Sequence, residues 1–216
     1  IDGKFDELNE EFKIEIKEIM GGREYKIIAI IEDEAGNICT KEIKTPYIRQ
    51  YENVAKKDDI IIMASYMTWY VQENWGWPKD YEFDGKPILG AYHQRDKIII
   101  YKHMDWATGY GIDVFLVDWS HTIYEDDPFK TDQNIMEIFK VAKNFSGPPK
   151  IGILLDPVFE NMKAIKCGDW TCYDIDDPKS VSYFLNITRY IARRYIKDEN
   201  YFKYNEKPVI YIYESS

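Results

Sequence analysis

The chain has 216 residues, a net charge of −10, a pI of about 4.9, and 45% hydrophobic and 16% aromatic residues. That hydrophobic share supports a packed core and excludes a disordered polyelectrolyte. The acidity excludes a nucleic-acid footprint and disfavours anionic membrane surfaces, which both need clustered Lys and Arg. No apolar run reaches the length of a membrane span.

Residues 1–50 read as β-rich. Phe12 to Ile19 alternates apolar and charged residues, the period of a half-buried strand, and Gly21-Gly22 marks a turn. Tyr25 to Ile31 is a predicted strand, Glu34 to Asn37 a turn, and Ile38 to Lys44 a second alternating strand ended by Thr45-Pro46. This piece resembles the closing strands of a fibronectin-III or immunoglobulin-like sandwich, with too few strands for a whole one.

From residue 58 the pattern changes. Asp59 to Ser65 is a predicted buried strand, followed by a Trp/Tyr-rich loop from Met67 to Tyr81 and an extended stretch from Pro87 to Tyr92. Lys97 to Thr108 is a helix with Ile100, Met104 and Ala107 on its apolar face, ended by Gly109 or Gly111. Ile112 to Asp118 is a strand, Thr131-Asp132 can cap a helix over 133–144, and Lys150 to Leu155 is a strand. Asp177-Pro178 opens a helix to about Ile196, with Val181, Phe184, Leu185, Ile187, Ile191 and Ala192 inward; Pro208 to Tyr213 is the last strand.

Strands that are apolar throughout and alternate with helices indicate a parallel α/β domain, buried on both faces. No glycine-rich turn follows the first of these strands, and no phosphate-binding loop or nucleophile elbow is present. The expected fold is therefore a (β/α)8 barrel, of which residues 58–216 supply the first half. A barrel carries its site at the carboxyl ends of its strands. There stand Trp69 and Tyr70, then Asp118-Trp119, then Asp156, then Glu214. Carboxylates beside aromatic rings are what glycoside cleavage uses: one acid protonates the leaving oxygen, another carboxylate attacks or activates water.

The remaining signals are local. Cys167 and Cys172 could close a small disulfide loop, remain free thiols, or, less readily, join a metal site. The three histidines, 93, 103 and 121, have no ligand spacing, and His103 has a structural place within a helix while His121 lies on the site face. Asp174-Ile-Asp176 has the letters of a metal–diphosphate motif but sits at a helix start. No cofactor or metal is expected. Two sequons, at Asn144 and Asn186, are compatible with secretion, and an extracellular or cell-surface location is the expectation.

Several segments carry a family resemblance in order: Ser65-Tyr-Met-Thr-Trp-Tyr70, Pro87 through Tyr92 to Asp96, His103-Met-Asp-Trp-Ala107, Gly111 to Trp119, Asp156-Pro157 and Lys207 to Glu214. Together they resemble the glycoside hydrolase family 99 barrels, the endo-α-mannosidases and endo-mannanases, and the related WbsX-like proteins of polysaccharide clusters. The resemblance implies a (β/α)8 barrel, endo-cleavage of α-mannosides without a metal, and an oligo- or polysaccharide partner. It also implies that Trp69, Tyr70, Tyr92, Asp96, Trp119 and the residues at Asp156 line the sugar site, with Asp118, Asp156 and Glu214 binding or supporting. Three strand ends depart from the family: Asp156-Pro157 stands for Glu-Pro, Tyr213-Glu214 for Tyr-Asp, and Asp118-Trp119 for a tryptophan pair. The family's Asn-Glu-Trp-x-Glu-Gly segment is absent, so no catalytic residue is assigned. Four strands cannot close an eight-stranded barrel, so a continuation of the chain or a partner is expected to complete it. A non-catalytic carbohydrate-binding or surface protein and a glycosyltransferase-associated role are the alternatives.

Overall fold

The computed structural model describes residues 21–33, 35–54, 60–68, 70, 88–119, 130–155, 163–167, 170–174 and 176–213. Its N-terminal part is an antiparallel ribbon of β1 (Lys26–Glu32) and β2 (Ile38–Lys44), in register from Lys26↔Lys44 to Glu32↔Ile38. The turn forms because the Asp33 carboxylate accepts from the Ala35 and Asn37 backbone N–H groups (3.0 and 2.8 Å). Gly36 takes φ +82° there, a conformation that disfavours a Cβ.

The body is a parallel sheet in the order β10-β5-β4-β3. Its strands are β3 (Met63–Tyr66), β4 (Val114–Trp119), β5 (Lys150–Leu155) and β10 (Ile210–Ile212). Between them come α1 (Lys97–Gly109), α2 (Thr131–Lys143) and α3 (Pro178–Arg194). Two short antiparallel hairpins interrupt the rhythm: β6–β7 (Ala164–Cys167, Trp170–Tyr173) before α3, and β8–β9 (Lys203–Tyr204, Lys207–Pro208) after it. In the first, Cys172 faces Ile165 and Cys167 faces Trp170. The cysteines thus stand diagonally across the ladder.

Each strand of the sheet lies beside the one before it in the chain, so the order never reverses. A doubly wound sheet does reverse, and places helices on both faces. Side-chain parity confirms the difference. Phe115, Val117 and Trp119 of β4 and Ile151, Ile153 and Leu155 of β5 share one core with Ile100 and Met104 of α1, Ile135, Ile138 and Phe139 of α2, and Ile187 and Ile191 of α3. All three helices therefore cover one face. The alternate residues Val114, Leu116 and Leu154 form a separate small cluster with Phe202 and no helix. One helix-covered face and one face turned to a second, smaller core is the layout of a barrel wall; a closed barrel is not present among the described residues.

The helices end as their residues dictate. Asp96 caps α1 by accepting from Ile98 N at 2.9 Å. At the other end Ile112 N donates to Ala107 O (2.8 Å) and Gly111 N to Thr108 O (3.4 Å), with Gly111 at φ +79°. This is a Schellman stop, and glycine supplies the left-handed step. Asp177 caps α3 through Ser180 N, with Pro178 following it. The expected cap of α2 differs: Lys130 holds the N-cap place in a left-handed conformation without a side-chain bond, and Thr131 and Asp132 lie inside the first turn. Asp132 instead accepts from the hydroxyls of Tyr190 and Tyr195, locking α2 to α3. On α3 the inward residues are Ser180, Tyr183, Ile187 and Ile191, while Val181 and Leu185 are exposed. Ile60 to Ile62 are also exposed, and Ile88 and Leu89 form a turn rather than an extended stretch.

Candidate functional site

At the free edge of the sheet a cavity of about 560 Å³ opens between β3 and α1. Strand alternation sends Tyr66 toward the helices, and its ring stacks on Phe115 with centroids 4.7 Å apart. Helical spacing then places His103, Trp106 and Tyr110 on the facing side of α1 and its cap. The Tyr66 hydroxyl and His103 Nδ1 share a hydrogen bond of 2.9 Å. Tyr92 sets its ring edge-on to His103 at 5.4 Å, and Tyr70 sets its own edge-on to Tyr92 at 6.4 Å. The result is a continuous aromatic wall from the carboxyl end of β3 down along α1.

Two loops bring these rings together. The stretch after β3 is held by Asn134 of α2, whose side-chain amide donates to Thr68 O at 2.7 Å. The stretch before α1 joins it through Gln94 N, which donates to Tyr70 O at 3.0 Å. The Arg95 guanidinium fixes the turn outside the cavity by donating to Gln133 Oε1 at 2.8 Å.

Among the described residues no Asp, Glu, Lys or Arg lines the cavity. Burial holds His103 at about 4, well under its ordinary 6.5, so the ring is neutral near pH 7. The hydroxyl of Tyr66 is pushed up by burial and then by Tyr92; that of Tyr92 is pushed up by burial and then by Tyr70. His103, Tyr66 and Tyr92 are thus uncharged at neutral pH. Gln94 is 4% exposed, and its Oε1 has no hydrogen-bond partner among the described residues. Such a wall can bind by stacking and neutral hydrogen bonds; among its described residues there is no acid–base pair of the kind glycoside cleavage uses.

The structure brings together two of the residues named from the sequence, Tyr70 and Tyr92. Asp96 is at the helix cap, its carboxylate turned to Ile98 N. Trp119 is in the helix-side core, 2% exposed and tilted against Tyr190. Asp118 is buried and, by alternation, faces the side of Val114 and Leu116, opposite the helices. Trp69, Asp156, Glu214 and His121 lie outside the described residues. Sequence reasoning missed Gln94 and Trp106, and kept His103 as structural. An available signal was the α1 stripe of His103, Trp106 and Tyr110, aromatic at steps of three and four. Among the described residues no cluster of His, Cys, Asp or Glu could hold a metal, and no helix is long and apolar enough to cross a membrane.

No family model matches the chain, and no curated protein matches it. Solved structures do. The GH99 endo-α-mannosidase from Bacteroides thetaiotaomicron, in complex with bis-tris-propane, superposes with a TM-score of 0.52 at 20% identity, over 72% of this chain and 42% of that one. A second structure of the same enzyme gives 0.50 at 18% identity, over 71% and 45%. At such identity the likeness shows the fold alone. The chain spans less than half the length of these proteins.

Proposed function

We propose that this chain is a glycoside hydrolase-like domain that binds an oligo- or polysaccharide at the carboxyl end of β3. The observation that carries the reading is the meeting of Tyr66, Tyr70 and Tyr92 in one cavity, on a fold like that of endo-α-mannosidases. Sugar rings present apolar C–H faces and hydroxyl rims, and aromatic rings interspersed with neutral polar groups match both. Endo-hydrolysis of α-mannosides is the activity proposed for the whole protein. It would draw its acid and nucleophile or base from carboxylates at the strand ends, with Asp118, on the face away from the helices, binding or supporting the substrate. An extracellular or cell-surface location accords with such a substrate.

One observation favours a second reading, binding without cleavage: among the described residues no carboxylate lines the cavity. A single experiment separates the two. The protein is incubated with α-mannan, and both tryptophan fluorescence and the release of reducing ends are followed. Saturable quenching with release supports the hydrolase, and quenching without release supports the binding protein. If neither α-mannan nor a panel of other glycans perturbs the fluorescence at millimolar concentration, the carbohydrate reading falls.

A further inference from the structure

We infer that residues 47–54 are a strap that ties the N-terminal ribbon to the helix layer and, through Tyr51, sets the position of Tyr110 at the mouth of the cavity. The effect on binding rests on the carbohydrate reading and adds a positioning residue to it.

A buried charge clamps the strap. Asp105 of α1 is fully buried, and a carboxylate in such a place must be matched by donors. The strap supplies them. Gln50 N and Tyr51 N donate to its oxygens at 2.6 and 3.1 Å, the Tyr47 hydroxyl at 3.4 Å, and Arg49 Nε stands 3.5 Å away. The Arg49 guanidinium reaches on across the helices. It donates to Thr108 Oγ1 on α1 at 2.7 Å and to Ser146 O past the end of α2 at 3.0 Å, and it lies over the Phe145 ring. Tyr47 stacks flat on Tyr101, with centroids 5.0 Å apart. At its other side the strap pairs with the residues before β1: Gly22 N donates to Ile48 O at 2.6 Å and Ile48 N to Arg23 O at 3.0 Å. A linker between independent modules has few contacts across it; this segment is bonded to both.

Glycines make room for it. A Cβ on Gly21 would collide with Arg49 O, one on Gly147 would stand 2.8 Å from Asn53 Nδ2, and one on Gly109 would stand 2.5 Å from the Cβ of Tyr51. Gly109 is the informative position. It lies within α1 and has no left-handed φ, so alanine would be the better helix former there. The glycine answers to the strap and not to the backbone. Over it the Tyr51 ring meets Tyr110, tilted, with centroids 5.6 Å apart. Tyr110 lines the cavity with Trp106 and His103, yet it is the cap residue of α1 and 71% exposed. A ring at a helix end gains its fixed place from a neighbour, and a ring already fixed binds without the cost of being ordered.

The test has two readouts on the full chain: hydrogen exchange over residues 47–54, and affinity for an α-manno-oligosaccharide by tryptophan fluorescence. Asp105→Asn replaces one acceptor by a donor and should speed exchange over 47–54 by at least about tenfold. Gly109→Ala should do the same and lower the thermal midpoint, whereas in a Tyr51→Gly background it should be neutral or stabilising. This second pair keeps the clamp testable if Asp105→Asn fails to fold. Tyr51→Ala should weaken the glycan by about three- to tenfold, the ordering of one side chain. Tyr51→Phe, which keeps the ring, should restore affinity, and in a Tyr110→Ala background Tyr51→Ala should change nothing further. Exchange unaltered by Asp105→Asn, or a Gly109→Ala penalty that persists without Tyr51, overturns the strap. Exchange that responds while Tyr51→Ala binds as the unaltered chain does, or weakens binding equally without Tyr110, overturns the positioning role and leaves the carbohydrate reading standing. If the unaltered chain binds no glycan, the carbohydrate reading fails and the positioning role with it, while the clamp is still decided by exchange.

Discussion

The centre and the edge of the parallel sheet are built from similar residues and meet different fates. Ile151, Ile153 and Leu155 of β5 are sealed between neighbouring strands and helices. Ile60, Ile61 and Ile62, which lead into β3, remain about half exposed, at 54%, 42% and 49%. Hydrophobicity is the same in both runs; the number of neighbours is not. A central strand has a partner on each side and a helix above. Among the described residues β3 has β4 on one side only, and it borders the aromatic cavity. The difference teaches that, among the described residues, strand position and not hydrophobicity decides which apolar run is sealed and which keeps open surface.

Three measurements break or sharpen that contrast. Ile153→Ala empties a site enclosed on all sides and should cost about 2–5 kcal/mol, transfer and cavity together, whereas Ile61→Ala should cost less than about 1 kcal/mol. Chemical denaturation of both variants checks the pair, and equal losses would erase the distinction between centre and edge.

His103 gives the edge its own signature. Its folded value of about 4 lies below the ordinary 6.5, so the folded state binds fewer protons than the unfolded chain in that interval. The corresponding stability is complete above about pH 6.5 and is lost as pH falls toward 4, amounting to roughly 3 kcal/mol. Other groups also contribute to acid unfolding, so the quantity to compare is the loss between about pH 7 and pH 4 in the wild type and in His103→Phe. The variant should lose less by nearly that amount; identical losses would mean that burial does not set the charge of this ring.

The smallest effect concerns Asp96, which closes the first turn of α1 at the edge of the cavity. Asp96→Ala should lower stability by about 1 kcal/mol, the typical worth of an N-cap. It should leave glycan affinity within about twofold, since the carboxylate faces the helix backbone. A large loss of affinity with little loss of stability would instead make Asp96 a ligand contact.

The residues explain how much of this was legible beforehand. β2 and β5 have the bounds expected from alternation and from an unbroken apolar run, and α1 differs by one residue. In each case a short-range pattern and a local stop signal agreed. The α2 cap and the α3 face were misjudged for a common reason. Asp132 is drawn to two tyrosines 58 and 63 positions away, and Tyr183 is taken inward ahead of Val181 and Leu185. Those choices belong to helix–helix packing, which no local rule contains. The hairpin of β6 and β7 is not legible in the sequence, because its two four-residue strands are too short to carry a clear period.

Sequence alone therefore determined the class of the domain, the alternation of strands and helices, the parallel pairing that follows from apolar strands, and the aromatic richness of the segments after the first strand. These properties depend on periodicity, propensity and turn chemistry, which act over a few residues. Only the tertiary structure decided that all three helices share one face, that Trp119 enters the core while Tyr66 walls a cavity, and that Gln94 is left there with an unmatched oxygen. Those outcomes depend on which distant surfaces compete for the same space, and that competition is settled when the layers pack.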